Sequence, residues 1–283
     1  MNETAVHAPA ADNAIAECFV QARRAGIALE QFPGTIPTSL DAAYQCQEAA
    51  IQRWQDAIAG WKVGFIAPAQ REQPSGEDRL VGPIFARNVY VAERDRIVEF
   101  PVFDGGFAAV EAEFVFRLGS DAASGKTKWT SDQAAALVQD LHIGIETAGS
   151  PLATINSLGP RVVVSDFGNN AGLLLGSRID AWRSLPETAL TCVTSIDGHS
   201  VGTGGASAVA GGLLSALAFA LSRCARNGHP LRAGDLVTTG AVTGIHEIVH
   251  GQEALADFGR LGTIRCRAIE ARAFAGARGP KWL

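Results

Sequence analysis

The chain has 283 residues, of which 47% are apolar and 19% charged, and carries a net charge of −5. The length admits one large domain or two ordinary ones, and the composition is that of a globular protein, not a disordered one. So mild a negative charge offers no attraction to nucleic acid or to an anionic membrane, and neither is expected as a partner.

Five scattered cysteines (Cys18, Cys46, Cys192, Cys224, Cys266), odd in number and without a C-x-x-C pair, point to reduced thiols in a cytoplasmic setting. Through Asn13 there is no basic stretch followed by an apolar one, so no signal peptide is expected. The longest apolar run, Gly211 to Leu221, is interrupted by Ser215 and is too short to span a bilayer.

Apolar side chains at helical spacing predict helices over 12–30 (Ile15, Cys18, Phe19, Ala22, Ala25) and 39–59 (Leu40, Tyr44, Ala50, Ile51, Trp54). Asp12 and Ser39 stand where N-caps belong, and Gly26 and Gly60 mark the exits. Two prolines in Phe32-Pro33-Gly34-Thr35-Ile36-Pro37 exclude helix between them. From Trp61 the texture changes to short β-type runs: Trp61–Ile66, Val89–Ala92, Ile97–Phe100 and Ala109–Leu118. A helix is predicted over 131–141, capped by Thr130 or Ser131, then a strand over His142–Thr147. Arg161–Ser165, Gly172–Gly176 and Ala189–Ile196 read as β, with Asp197-Gly198 as a hairpin turn. A helix follows over about 211–227, closed by Gly228 and Pro230, and strands over Leu236–Thr239 and Gly262–Ala268 end the chain. Hairpins with few helices predict an α+β fold, a small helical lobe on a β-rich body.

Val110-Glu111-Ala112-Glu113-Phe114-Val115-Phe116 carries the chemistry. As a strand it projects Glu111 and Glu113 side by side from one face of a segment otherwise fit for a core. Carboxylates that close in an apolar setting repel and lose hydration, so a shared proton, a basic partner or a divalent cation must compensate. Oxygen-only ligation suits Mg²⁺, Ca²⁺ or Mn²⁺ better than zinc. The alternative is a solvated strand face with Ala112 and Phe114 turned inward. Glu146, at the end of a strand that opens into Thr147, Ala148 and Gly149, is either a third oxygen ligand or an ordinary solvated acid.

Lys62, in Gly60-Trp61-Lys62-Val63-Gly64, is either buried and used for proton transfer or outward-facing with its stem along Trp61. The loop Asp166-Phe167-Gly168-Asn169-Asn170-Ala171-Gly172 can place an acid and two amides at a cleft, or simply use Asn and Asp for left-handed backbone angles. Thr238-Thr239-Gly240 could receive a carboxylate or be a strand edge and turn. The six histidines form no metal-spaced cluster and read as surface residues. Gly202–Ser207 lacks the context of a phosphate-binding loop and reads as a flexible loop, and no Gly-x-Ser-x-Gly elbow occurs.

In order along the chain, Gly60-x-Lys62-Val63-Gly64, Val110-Glu111-Ala112-Glu113, Ile145-Glu146, the Asp166–Gly172 loop and Pro230-Leu231-Arg232-Ala233-Gly234-Asp235-Leu236-Val237-Thr238-Thr239-Gly240 resemble the 2-keto-4-pentenoate hydratases. These belong to the fumarylacetoacetate hydrolase superfamily, which also includes the 4-oxalocrotonate decarboxylases. The resemblance implies a helical N-terminal lobe (residues 1–60) on a β-rich catalytic domain (residues 61–283), a mixed β-roll or sandwich. It implies Mg²⁺ or Mn²⁺ held by Glu111, Glu113 and Glu146, binding the carboxylate and 2-oxygen of a short 2-hydroxy-2,4-dienoate. Ketonisation and addition of water then need positioned proton donors and acceptors, for which Lys62 and Asp166 occupy the matching positions. Thr239 and the Gly240 backbone would hold the substrate carboxylate, with Asn170 beside them. Homo-oligomeric assembly and a place in aromatic-compound catabolism are further expectations.

Two positions depart from the family pattern. Leu80 stands where the family has an acid two residues before a glycine, with Glu77 and Asp78 displaced, and Gly211-Gly212-Leu213-Leu214 replaces an Asn- or His-Pro-Leu. Decarboxylation of a 4-oxalocrotonate-type acid, C–C hydrolysis of an acylpyruvate, and a non-catalytic partner subunit are therefore the alternative readings.

Overall fold

The computed structural model describes residues 9–73, 76–93 and 96–271; the opening residues examined for a leader lie, up to residue 8, outside that range. Helix α1 (Pro9–Ala25) already includes Asp12, so that residue is not its cap, and it ends five residues sooner than the 12–30 segment suggests, at Gly26. Helix α2 (Leu40–Arg53) begins as its sequence requires, with the Ser39 side chain accepting a hydrogen bond from the Ala42 N–H. It stops short of residue 59 because strand β1 (Ile58–Phe65) takes up the rest. Gly60 is a strand residue, not a helix exit: a Cβ there would lie 2.1 Å from the Leu236 carbonyl of the adjacent strand.

Strands β2 (Arg79–Phe85), β3 (Val89–Val91), β4 (Ile97–Val102) and β5 (Phe107–Leu118) follow. The helix predicted over 131–141 is only α3 (Ser131–Ala135), closed at its start by the reciprocal Thr130 and Gln133 bonds of a capping box. Val138 and Leu141 instead belong to β6 (Val138–Ser150), which pairs with β5 from Ser150 opposite Phe107 to Val138 opposite Leu118. A ladder of that length overrides a helical spacing sampled over a few residues. The β-branched run expected as a strand over Arg161–Ser165 is helix α4 (Pro160–Ser165), opened by proline in its first turn and packed on α2.

The remaining elements are β7 (Asn170–Arg178), β8 (Thr191–Ile196), β9 (His199–Gly205), α5 (Leu213–Arg226), β10 (Leu236–Thr238), β11 (His246–Glu247), β12 (Glu253–Asp257) and β13 (Thr263–Glu270). Most of the glycine-rich segment expected as a flexible loop is thus β9, hairpinned to β8. Strands β2, β11 and β12 have no counterpart among the expected elements.

One sheet runs β2-β1-β10-β5-β6-β7-β3, with β11 pairing β5; the other runs β4-β13-β12-β8-β9. Both are mixed: β1/β10, β3/β7 and β4/β13 are parallel and the other pairs antiparallel. They stack through one apolar core in which Phe114 of β5 meets Phe258 beyond β12 edge-to-face, ring centres 5.6 Å apart. This is an α+β fold in which β5 is central and buried on both faces. Val110, Ala112, Phe114 and Phe116 fill the core between the sheets. On the opposite face Ala109 joins a cluster with Ile15, Phe19 and Cys46 of α1 and α2. Glu111 and Glu113 lie on that second face. Among the described residues no helix is long and apolar enough to cross a membrane.

Candidate active site

Register does what sequence spacing alone cannot. In the β5–β6 ladder Glu111 stands opposite Glu146, so a carboxylate from each strand meets on one face, with Glu113 one pleat further along β5. Glu146 is mid-strand and not at a loop entrance, since β6 continues to Ser150. The three glutamates are buried, Glu113 and Glu146 completely, and each offers an oxygen within 4.8 Å of the others. The solvated alternative for Glu111 and Glu113 does not hold.

Glu113 and Glu146 are steered by hydrogen bonds from other elements. The Gly240 N–H donates to Glu113 Oε2 at 2.7 Å, Asn170 Nδ2 donates to Glu146 Oε1 at 3.1 Å, and the Thr238 hydroxyl lies 3.5 Å from Glu146 Oε2. Glu113 Oε1 is buried with no hydrogen-bond partner among the described residues. Lys62, on β1 three strands from β6, is buried with its Nζ 3.2 Å from Glu146 Oε1. Burial disfavours its charge, but the carboxylates of Glu146, Glu111 and Glu113 outweigh that and hold the ammonium above its ordinary value. Burial pushes the Glu111 carboxyl up to about 7, with Lys62 opposing and Glu146 reinforcing. Burial and its two acidic neighbours push Glu113 well above the usual carboxylate range.

Three carboxylates against one ammonium leave a formal charge of −3 + 1 = −2 in a buried cluster. An oxygen-only donor set, one unpartnered buried oxygen and a surplus of two negative charges fit a divalent cation of the hard class. Without one, the cluster must retain protons.

Through Glu111 the triad borders a cavity of about 520 Å³ lined by Lys62, Glu111, Thr239 and Gly240, and elsewhere mainly by apolar residues such as Phe65, Leu80 and Val209. Of the two positions that depart from the family pattern, Leu80 is itself in the wall, while Ala208, Val209 and Ala210 of the wall lead into Gly211-Gly212. Arg79 is also in the wall, its charge already paired with Asp78 at 2.9 Å.

Of four expected site residues, Asp166 and Asn170 lie outside the cavity wall, and Thr239 and Gly240 line it with their donors already engaged. Asp166 does not face the cavity: Arg23 of α1 grips both its oxygens, at 2.5 and 2.9 Å, and the Ser150 hydroxyl donates to Oδ2 at 2.6 Å. So fully engaged a carboxylate anchors the helical lobe and is not placed to exchange protons with a substrate. Asn170 is turned toward Glu146 and the Gly172 carbonyl, not toward substrate. Gly240 lines the cavity but its N–H is spent on Glu113, and the Thr239 hydroxyl donates to the Phe114 carbonyl at 2.9 Å. Neither donor is therefore free for a substrate carboxylate in the way expected. Arg23, Ser150 and Asn156 carry no local signal in the sequence, whereas Asn169 is one of the two amides that the Asp166–Gly172 loop offers to a cleft.

A buried three-carboxylate, one-lysine cluster beside a largely apolar cavity is a candidate divalent-metal site, on a fold of the fumarylacetoacetate hydrolase type. No protein-family model matches the chain. It is 27% identical to a 2-keto-4-pentenoate hydratase of Paraburkholderia phymatum, over 76% of this chain and 79% of that one. To a TodF product hydratase of Pseudomonas putida it is 29% identical, over 80% and 84%. Among solved structures it superposes on 4-oxalocrotonate decarboxylase from Pseudomonas putida G7, complexed with calcium and acetate, with a TM-score of 0.75. That match covers 93% of this chain and 98% of the other, at 20% identity. The chain is a homologue of the 2-keto-4-pentenoate hydratases and has the fold of 4-oxalocrotonate decarboxylase.

Proposed function

We propose that the protein is a metal-dependent hydro-lyase that adds water to a short 2-hydroxy-2,4-dienoate, giving a 4-hydroxy-2-oxo acid. The observation that carries this reading is the convergence of Glu111, Glu113 and Glu146 around one point beside the buried Lys62. The three glutamates would hold Mg²⁺ or Mn²⁺, and hydratases among the curated relatives support the reaction class. When bound there, a dication supplies a positive centre for the carboxylate and 2-oxygen of an α-oxo acid and stabilises charge that builds on that oxygen.

The chain's own residues do the rest. Rigid strands hold the ligand oxygens; Asn170 and Thr238 keep the Glu146 carboxylate turned inward, and the Gly240 amide keeps that of Glu113. Lys62, protonated and next to the triad, donates a proton to C5 of the dienol during ketonisation and takes back the proton that the 2-hydroxyl releases. The apolar wall around Leu80 and Val209 excludes water from the hydrocarbon part of the substrate.

Leu80, where the family carries an acid, together with the structural likeness to a decarboxylase, favours decarboxylation of a 2-oxo acid as the second reading. Pure protein mixed with 2-hydroxypenta-2,4-dienoate and Mg²⁺ or Mn²⁺ should bleach the dienol absorbance and form a hydroxy-oxo acid. Release of CO₂ from 4-oxalocrotonate, with no hydration of the dienoate, would transfer the case to the decarboxylase. Light scattering tests the accompanying expectation of a homo-oligomer.

A further inference from the structure

Between α4 and β7 the backbone makes an unusual passage: Phe167, Gly168 and Asn169 take positive φ angles of 53°, 66° and 63° in succession. A left-handed Phe is strained, on the order of 1–3 kcal/mol, and persists only where the surroundings insist on it. Here they do. The Phe167 ring is clamped edge-on between Phe85 and Trp54, with ring centres 4.9 and 5.7 Å away. Its carbonyl lies so close to β2 that a Cβ on Gly82 would stand 2.1 Å from it. Gly168 rests on the Lys62 stem, where a Cβ would meet Cδ at 3.3 Å.

The product of this passage is the placement of Asn169. Its side chain is in the cavity wall, only 4% exposed, on the same wall as Lys62 and Asn156. The carboxamide nitrogen donates to Asn156 Oδ1 at 3.3 Å, which fixes the plane of the amide. Its Oδ1 is buried and has no partner among the described residues. A buried acceptor left unpaired beside a cavity costs stability unless a ligand or a water supplies the proton it lacks.

Resting on the hydratase reading above, we infer that Asn169 is a positioning residue: its Oδ1 accepts a hydrogen bond from the water that adds to the substrate. In that step the water oxygen bonds to C4 of the 2-oxo-3-enoate. The C3=C4 electron pair moves toward C3 and the C2 oxygen, and Lys62 gives a proton to C3. The proton released by the water restores the lysine, so the net change is addition of H₂O across C3=C4. A neutral amide can orient the water without adding a fourth negative charge to a cluster that already carries three carboxylates.

The test uses the metal-loaded protein and two variants. Asn169→Gly keeps the left-handed backbone and removes only the carboxamide, whereas Asn169→Asp keeps an acceptor at the same place. For Asn169→Gly the hydration rate should fall by about 100-fold. Its inhibition by oxalate, a probe of the metal and head-group site, should be unchanged, as should deuterium incorporation at C5 of the dienoate in D₂O. Asn169→Asp should recover at least about 10-fold of the lost hydration. A glycine variant that hydrates as fast as the native protein, or that loses oxalate binding and hydration in equal measure, overturns the inference. Absence of hydration by the native protein instead removes the hydratase reading, and the role of Asn169 with it.

Discussion

Glu113→Gln separates the triad's metal-holding part from any structural part. Glu113 is completely buried, so the substitution is isosteric within a packed wall, and the amide oxygen can still accept from the Gly240 N–H. What changes is charge: one of the three carboxylates is gone, and with it a group whose ionisation the folded state resists. At pH 8 without metal the variant should therefore melt at or above the native temperature. Metal should reverse the order. A dication at about 1,000 times its Kd stabilises the native protein by about 4 kcal/mol. For 283 residues the unfolding entropy is about 0.6 kcal/mol/K, so that gain corresponds to about 7 °C in Tm. If the lost charge weakens binding about 100-fold, the same metal concentration gives only about 1.4 kcal/mol, or about 2 °C. Differential scanning calorimetry with chelator and then with Mg²⁺ or Mn²⁺ measures both quantities. A variant that metal raises as far as the native protein, or one that melts several degrees lower without metal, refutes the assignment of Glu113 as a ligand.

Three further outcomes are expected. Lys62→Met should lower kcat by about 100-fold or more while metal binding, measured by titration calorimetry, tightens because the cluster loses its ammonium; an unchanged kcat removes Lys62 from the chemistry. Asp166→Asn leaves the buried Arg23 guanidinium without its counter-charge and should cost about 3 kcal/mol, seen as a Tm about 5 °C lower, with the metal-induced rise intact. Loss of turnover in that variant at native stability would return Asp166 to the mechanism. The Glu111 carboxyl has its folded value raised from 4.5 to about 7, so between these values the folded state binds more protons than the unfolded chain, and stability falls as pH rises. The metal-free native protein should thus lose Tm relative to Glu111→Gln across that window, and metal should abolish the difference; a gap that widens in the native protein's favour contradicts the burial of an ionised cluster.

The pairing of two glutamates on β5 was legible because a period of two is a local property: Glu111 and Glu113 share a face wherever β5 lies. Their burial was not, since it depends on α1, α2 and the β10 loop covering a face that could as well have been wet. Glu146 could be tied to them only through the resemblance, because the register that sets it opposite Glu111 is a property of two strands and their turn. The misplaced elements share one cause. Over 131–141 and 161–165 a few apolar residues fit either period, and Pro160 in one case and the long β5–β6 ladder in the other decided the outcome. Asp166 misled for a different reason: its partner Arg23 is 143 residues earlier on a helix, and no spacing near either residue announces the pair.

That pair also explains why a helical lobe sits behind a site built from strands. Arg23 bonds Asp166, the Asn170 carbonyl at 3.0 Å and the Gly149 carbonyl at 2.8 Å, so one guanidinium ties the end of β6 to both ends of the strained 167–169 passage. Its face also lies 5.2 Å from the Phe167 ring centre. Asn170, just beyond the passage, orients Glu146, while Asn169 within it faces the cavity. A single anchoring contact from α1 thus acts on the Glu146 carboxylate and on the cavity wall together. Strain stored at Phe167 can persist there because the bonds that hold it are distributed over α1, β2 and β6, and not confined to the loop itself.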